Sequence, residues 1–379
     1  MKKNVTHLIA GLGKGGAETT LYQLLLHRKN DNVKHRVISL GGSHFYEKLI
    51  TELGIEVLEL PFKKHPIVSF FKARNFLKQT KTDTLCCWMY HANLLGLFLN
   101  KFTARKLIWN VRHSDLSREL NSRKTLFINK LCAKISHKAK TIAYNGEKAR
   151  QVHESVGYCR ENGIVVDNGV DILEYVRDES ARNSIINEIG APKNSKVLLS
   201  VARNHPIKDI PGFIEAVSIV RTEIPAAVAV ICGSGVEAGD EELTKICNRF
   251  NLEMNKNVFL LGLRHDVPKL MSAADVFVLH SKSEAFPNVL TQAMACECQC
   301  ITTDVGDAAK ILSNPTRTVP SSDSSALARA IILALKEDGE VKIKEGIRNR
   351  EIICSFYSID SVVKKYEDII CKPEDGLDE

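Results

Sequence analysis

Two stretches of this 379-residue chain combine residue types suited to holding phosphate. In Ala202-Arg203-Asn204-His205-Pro206-Ile207-Lys208, an arginine and a lysine stand five apart, directly after the apolar run 197–201. A guanidinium fork and an ammonium point charge on one such loop form a natural clamp for a diphosphate. Near the other end, Gly11-Leu12-Gly13-Lys14-Gly15-Gly16-Ala17-Glu18 follows the first apolar run and opens a helical pattern. Glycines there let a phosphate or a sugar approach backbone amides closely. A dinucleotide fingerprint fits Gly11 and Gly13 but misplaces the third glycine. It also lacks the acidic residue after the second strand, where Ser39-Leu40-Gly41-Gly42 stands. A tight strand-to-helix turn with no ligand is the plain alternative. Gly233, in Ile231-Cys232-Gly233-Ser234-Gly235, and Leu263-Arg264, in Leu261-Gly262-Leu263-Arg264-His265-Asp266, are further strand-end turns.

The elements that must position these loops are short apolar runs alternating with longer helical patterns. Strands are expected at 5–10, 34–39, 56–60, 84–89 and 106–111, with helices at 18–27, 45–53, 68–79 and 94–102. After a turn-rich polar stretch the rhythm restarts at 196–201, 227–232, 258–261, 276–279 and 299–302. That alternation predicts an α/β chain of two Rossmann-like doubly wound domains facing across a cleft. The expected boundaries are 1–171 for the first domain, 172–194 for a linker and 195–351 for the second domain. A helix at 352–371 would return toward the first domain, and 372–379 would be an acidic tail. In such sheets ligands sit at the carboxyl ends of strands, where these loops fall.

Composition narrows the class. Hydrophobic residues make up 44% and charged residues 26%, which excludes a disordered chain and a fibre. No apolar run approaches the ~18 residues of a membrane span, and the start lacks a secretory apolar core, so a cytoplasmic location is expected. Eleven cysteines include Cys296, Cys298 and Cys300, whose alternation suits small reduced residues around a buried strand better than a zinc site. The net charge of +7 is uneven: residues 1–170 hold 28 Lys+Arg against 13 Asp+Glu. The stretch Lys101 to Lys140 alone has 11 basic residues, against Asp115 and Glu119, around a helical pattern. It could meet an anionic membrane surface or simply be a solvated face over the core. No aromatic-interleaved or zinc-finger pattern accompanies the charge, so nucleic acid is not expected as a partner.

Glu284-Ala-Phe-Pro-Asn-Val-Leu-Thr-Gln292-Ala-Met-Ala, together with Gly15-Gly16-Ala17-Glu18, Val166-Asp-Asn168-Gly169-Val170-Asp171 and the Arg203–Lys208 spacing, resembles the retaining glycosyltransferases of family 4, with the GT-B fold. The likeness runs from Gly11 to about Gly306. It implies transfer of a sugar from a nucleotide diphosphate donor, commonly a UDP-sugar, to a glycan or polyprenyl-linked acceptor in surface polysaccharide assembly. No cofactor is implied, and the sequence has no D-x-D metal pair. The resemblance makes Glu284, His113, Arg203 and Lys208 catalytic. Around the donor it places Gly15, Gly16, Gly233, Leu263, Arg264, Phe286, Pro287, Asn288, Val289 and residue 292. Tyr90 and His91 are fainter acceptor-site candidates. Gln292 stands where the family usually has glutamate, and the turn after it lacks the usual Gly and Pro. A glycosyltransferase-like scaffold without turnover is therefore the alternative. A nucleotide-sugar epimerase of similar architecture would need acid–base carboxylates that are not found.

Overall fold

The computed structural model describes residues 2–41, 44–103, 106–118 and 121–372. Gly42, Glu119 and nearly all of the expected acidic tail lie outside these residues. The chain forms two compact units, one of 1–169 with 359–379 and the other of 170–358.

The first unit holds a seven-stranded, all-parallel sheet. Its strands are β1 (Lys3–Ile9), β2 (Val33–Ser39), β3 (Glu56–Glu59), β4 (Thr84–Trp88), β5 (Lys106–Val111), β6 (Thr141–Tyr144) and β7 (Gly163–Val165), in the order β3-β2-β1-β4-β5-β6-β7. β4 and β5 are buried at every position because helices cover both faces, hence their near-continuous apolar sequences. On one face lie α1 (Gly16–Leu26), α2 (Phe45–Glu52) and the C-terminal helix Ile359–Cys371, joined through Leu21, Leu25, Ile50 and Val363. On the other lie α3 (Pro66–Gln79), α4 (Met89–Thr103), α5 (Arg123–Ile135) and α6 (Glu147–Ser155), around Leu77, Leu99, Cys132 and Ala149. The strand order reverses between β1 and β4, so the crevice at their carboxyl ends is where this topology accepts a ligand.

The second unit repeats the design with six parallel strands: β8 (Lys196–Val201), β9 (Ala227–Cys232), β10 (Val258–Leu260), β11 (Val276–Leu279), β12 (Cys300–Thr303) and β13 (Thr318–Val319). Their order β10-β9-β8-β11-β12-β13 puts the reversal between β8 and β11. The helices are α7 (Ala181–Ile189), α8 (Ile210–Glu223), α9 (Glu241–Arg249), α10 (Val267–Ala273), α11 (Asn288–Ala295), α12 (Ala308–Leu312), α13 (Ser324–Lys336) and α14 (Gly339–Ile352).

Two expectations change. The stretch 172–194 is not a bare linker: α7 occupies its middle and packs on α10, with Ala181, Ile185 and Ile186 buried. Nor is 352–371 one helix, because a π-helical turn at Ile353–Tyr357 and Ser358 separate α14 from the C-terminal helix. Cys296, Cys298 and Cys300 are buried around β12, and desolvation pushes the thiols of the first two up to about 12.

Candidate active site

In the second unit the reversal point carries the phosphate-type residues. The loop after β8 leads through a 3₁₀ turn, Pro206–Lys208, into α8; the loop after β11 leads to α11. Lys208 Nζ and the Glu284 carboxylate bridge the two loops, and Ser281 Oγ donates to the same carboxylate at 2.7 Å. A second tie joins Lys282 Nζ to Asp209 at 2.9 Å, and a third runs from the Lys282 amide to the Ile207 carbonyl at 2.7 Å. Beneath them His280 is buried, stacked on Phe213 at 4.7 Å with Nε2 2.6 Å from Ser200 Oγ; burial lowers its pKa to about 4. A neutral His280 thus supports the loops without adding charge to the clamp. Sequence reasoning missed Ser200, His280, Ser281 and Lys282. The available signal was a serine and a histidine interrupting apolar strands at the same end.

Two glycines hold these loops close. Gly233, at φ +147°, lies so near the Ala202 carbonyl that a Cβ could not fit, so the turns after β8 and β9 touch backbone to backbone. Gly306, at φ +57°, plays the same part under Glu284, where a Cβ would come 2.5 Å from the Glu284 carbonyl. Arg203 is exposed on the same loop.

α11 begins at Asn288, and Pro287 at its N-cap position supplies no side-chain hydrogen bond to the first amides. The amides of Asn288 and Leu290 donate instead to the Phe286 and Pro287 carbonyls at 3.1 and 3.0 Å, so the start of α11 bears on the Glu284 loop through its dipole. Phe286 is buried against Tyr357, ring centres 5.8 Å apart, and Val289 packs on the core, so these two side chains are engaged in packing. Gln292 is half-buried one turn after Asn288. Leu263 is exposed, but Arg264 is occupied. It donates to Asp266 at 2.7 Å through Nε and again through Nη2, and it pairs with Glu188 of α7. A guanidinium held between two carboxylates is less available to a base than the resemblance implies.

In the first unit, Gly15 caps α1, and the Glu18 side chain folds back over it. Desolvation raises the Glu18 pKa, so the carboxylate sits uneasily on the glycine loop. Met89, where β4 meets α4, has φ +71°, a strained value for a side chain of its size. The next residue, Tyr90, is buried in the core with its hydroxyl 2.7 Å from His153 Nε2. Tyr90 is therefore a packing residue, not an acceptor contact. His91 is exposed. His113 follows β5, half-buried, with Nε2 3.2 Å from Asn121 Oδ1. Because an amide oxygen can only accept, Nε2 is the donor in this bond. Next to it, Arg112 donates to Asn168 Oδ1 at 2.5 Å and to the Tyr366 hydroxyl, and desolvation pulls its pKa down to about 9. Arg112 thus ties the His113 loop both to Asn168 of the 166–171 motif and to the C-terminal helix.

Comparison with known proteins agrees with this architecture. Residues 14–173 match the family model "Glycosyltransferase Family 4", and residues 181–350 match "Glycosyl transferases group 1". The chain is 27% identical over 206 residues to the N-acetyl-alpha-D-glucosaminyl L-malate synthase of Bacillus anthracis, covering 54% of this chain and 52% of the synthase. It is 24% identical to the N-acetylgalactosamine-N,N'-diacetylbacillosaminyl-diphospho-undecaprenol 4-alpha-N-acetylgalactosaminyltransferase of Campylobacter jejuni, covering 78% and 79%. Among solved structures, Anabaena HepE in complex with UDP superimposes with a TM-score of 0.84 at 21% identity, over 98% of this chain and 100% of that one. With the two models spanning adjacent parts of its length and both sheets reversing where the fold requires, the chain belongs to the group 1, family 4 glycosyltransferases of GT-B fold.

Proposed function

We propose that the protein transfers a sugar from a UDP-sugar to a glycan on a polyprenyl diphosphate or related lipid, with retention at the anomeric carbon, in surface polysaccharide synthesis. The observation that carries this reading is the joining of Lys208 and Glu284 across the reversal point of the second unit, beside the start of α11. Arg203 and Lys208 would neutralise the leaving diphosphate, and Glu284 would accept hydroxyls of the donor sugar. The residues suggest no enzymic nucleophile, so the departing phosphate would take the acceptor proton on the same face, its charge absorbed by the clamp. UDP in the related HepE structure supports the nucleotide, and the diphospho-undecaprenol substrate named for the Campylobacter relative supports the acceptor class. The basic exposed side of α5 suits a peripheral position on an anionic membrane. Gln292, in place of glutamate, favours a second reading, a binding subunit without turnover.

One experiment separates the two readings. The protein is screened against nucleotide sugars for thermal stabilisation. The hit is then incubated with undecaprenyl-linked acceptors, and the product's anomeric configuration is read by NMR. Product with the donor's configuration supports transfer with retention. Stabilisation without product or hydrolysis supports the binding subunit.

A further inference from the structure

The helical layer of α3, α4 and α5 is unlike the rest of the first unit. These three helices pack side by side and contain eight lysines and arginines but no aspartate or glutamate. Carboxylates return on the neighbouring α6 and on all three helices of the opposite face. The layer also shows large apolar side chains to solvent. Ile67, Val68 and Phe71 are 71%, 55% and 52% exposed, Phe98 is 50% exposed, and Phe127 is 63% exposed. Ile67, Val68 and Phe71 stand at i, i+1 and i+4, so they share one side of α3's first turns, with exposed Lys63, Lys64 and Lys72 around them. Phe127 stands in the exposed stripe of Arg123, Lys130 and Lys134.

Topology places these groups. In a parallel α/β sheet each helix runs back against its strand, so helix starts lie at the strands' carboxyl ends. The first turns of α3 and α5 therefore lie at the same end of the unit as the glycine loop, His91 and His113.

We propose that this face, with Ile67, Val68 and Phe71 inserted among acyl chains, docks the protein on a bilayer containing anionic phospholipid. Apolar tips set on basic helices that themselves carry no carboxylate match such a bilayer, since headgroup charge and the acyl boundary are satisfied together. This corrects the basic stretch 101–140 as a single face. Lys106 and Lys140 are at the starts of β5 and β6, lining a hollow of about 600 Å³ at the far end of the sheet, whereas α3 contributes from outside the stretch. The proposal builds on the reading that the acceptor is lipid-borne, and it brings the acceptor-side loops to the surface where such a lipid resides.

Sedimentation with phosphatidylcholine vesicles, with and without phosphatidylglycerol, tests it on the whole protein. Wild type should bind only the anionic vesicles. The triple variant Ile67→Ser, Val68→Ser, Phe71→Ser should bind at least about ten-fold more weakly even at high salt, since the lost contact is apolar. Val68→Trp should show blue-shifted fluorescence quenched by brominated lipid. If the folded triple variant binds like wild type, or Val68→Trp stays unquenched, the insertion is wrong. Wild type that ignores anionic vesicles yet transfers sugar to a lipid-linked acceptor in detergent also overturns it, leaving the proposed function standing. Insertion by a protein that transfers no sugar supports the docking face and defeats the proposed function instead.

Discussion

Glu284 is joined to Lys208 and Ser281, so its removal can be judged on two separate readouts. Glu284→Gln keeps an oxygen that Ser281 can still donate to and leaves Lys208 a fifth exposed, so stability should fall by only about 1 kcal/mol. If Glu284 holds the reacting sugar, kcat should fall by about 100-fold or more, because the stabilising charge acts in the transition state. Urea midpoints and kcat for the same variant test this; equal, small effects on both would make Glu284 merely a strut. Gln292 argues differently. A glutamine accepts from one ribose hydroxyl and donates to the other, losing only the charge-assisted part of the contact. Gln292→Glu should therefore change donor KM by less than about ten-fold, with kcat nearly unaltered. Rescue of an inactive wild type by this substitution would establish the binding-subunit reading. Spacing in the sequence pointed to Lys208 as a phosphate clamp, and the family resemblance pointed to Glu284. It could not reveal that Arg264 is taken by Glu188, 76 residues away, nor that Tyr90 turns inward to His153.

Helix ends and short strands were the least legible elements. α7 escaped notice because its apolar positions are few, Ala181, Ile185 and Ile186, amid polar neighbours; burial against α10, not intrinsic propensity, makes it a helix. β6, β7 and β13 are two to four residues long and have too few positions to show a period. The turn after α11 is more instructive, since the sequence there lacks the family's usual glycine. Glu297 adopts φ +58°, and its amide closes the helix onto the Met294 carbonyl at 3.0 Å. Left-handed backbone costs a residue with a Cβ about 1 kcal/mol, which glycine avoids. The turn is held against this cost by α14, where Asn349 donates to the Cys298 carbonyl at 2.9 Å and the Gly346 backbone lies against the Glu297 carbonyl. Glu297→Gly should raise stability by about 1 kcal/mol, a long contact to Arg350 at 4.0 Å being the only loss among the described ion pairs. Glu297→Ala should gain nothing. Chemical denaturation of the pair distinguishes relief of backbone strain from loss of charge.

Across the whole molecule, both units bury histidines that must stay neutral. In the first unit, desolvation lowers His35 and His153 to about 4 and holds His7 well below its ordinary value; in the second it lowers His280 to about 4. The side chains these rings meet are neutral, Tyr90 for His153, Ser200 for His280 and Trp88 for His7, and the Asp209 charge near His280 offsets only part of its desolvation. The unfolded chain takes up protons near pH 6.5, whereas folded His35, His153 and His280 do so only near 4. Between those values the unfolded state binds more protons, and stability must fall as the pH falls. A gap of some two and a half units is worth about 3 kcal/mol per histidine once both states are protonated. Since His280 supports the Lys208–Glu284 loops, acid should loosen the donor side and the fold together. Urea unfolding from pH 7.5 to 4.5 should show a steep loss that begins below about 6.5. His280→Gln, which can still meet Ser200 Oγ, should flatten part of it while lowering stability at pH 7.5. A wild-type curve flat from pH 6.5 to 4.5 would mean that the rings take up protons in the folded chain, and that His280 cannot be the neutral support on which the clamp geometry depends.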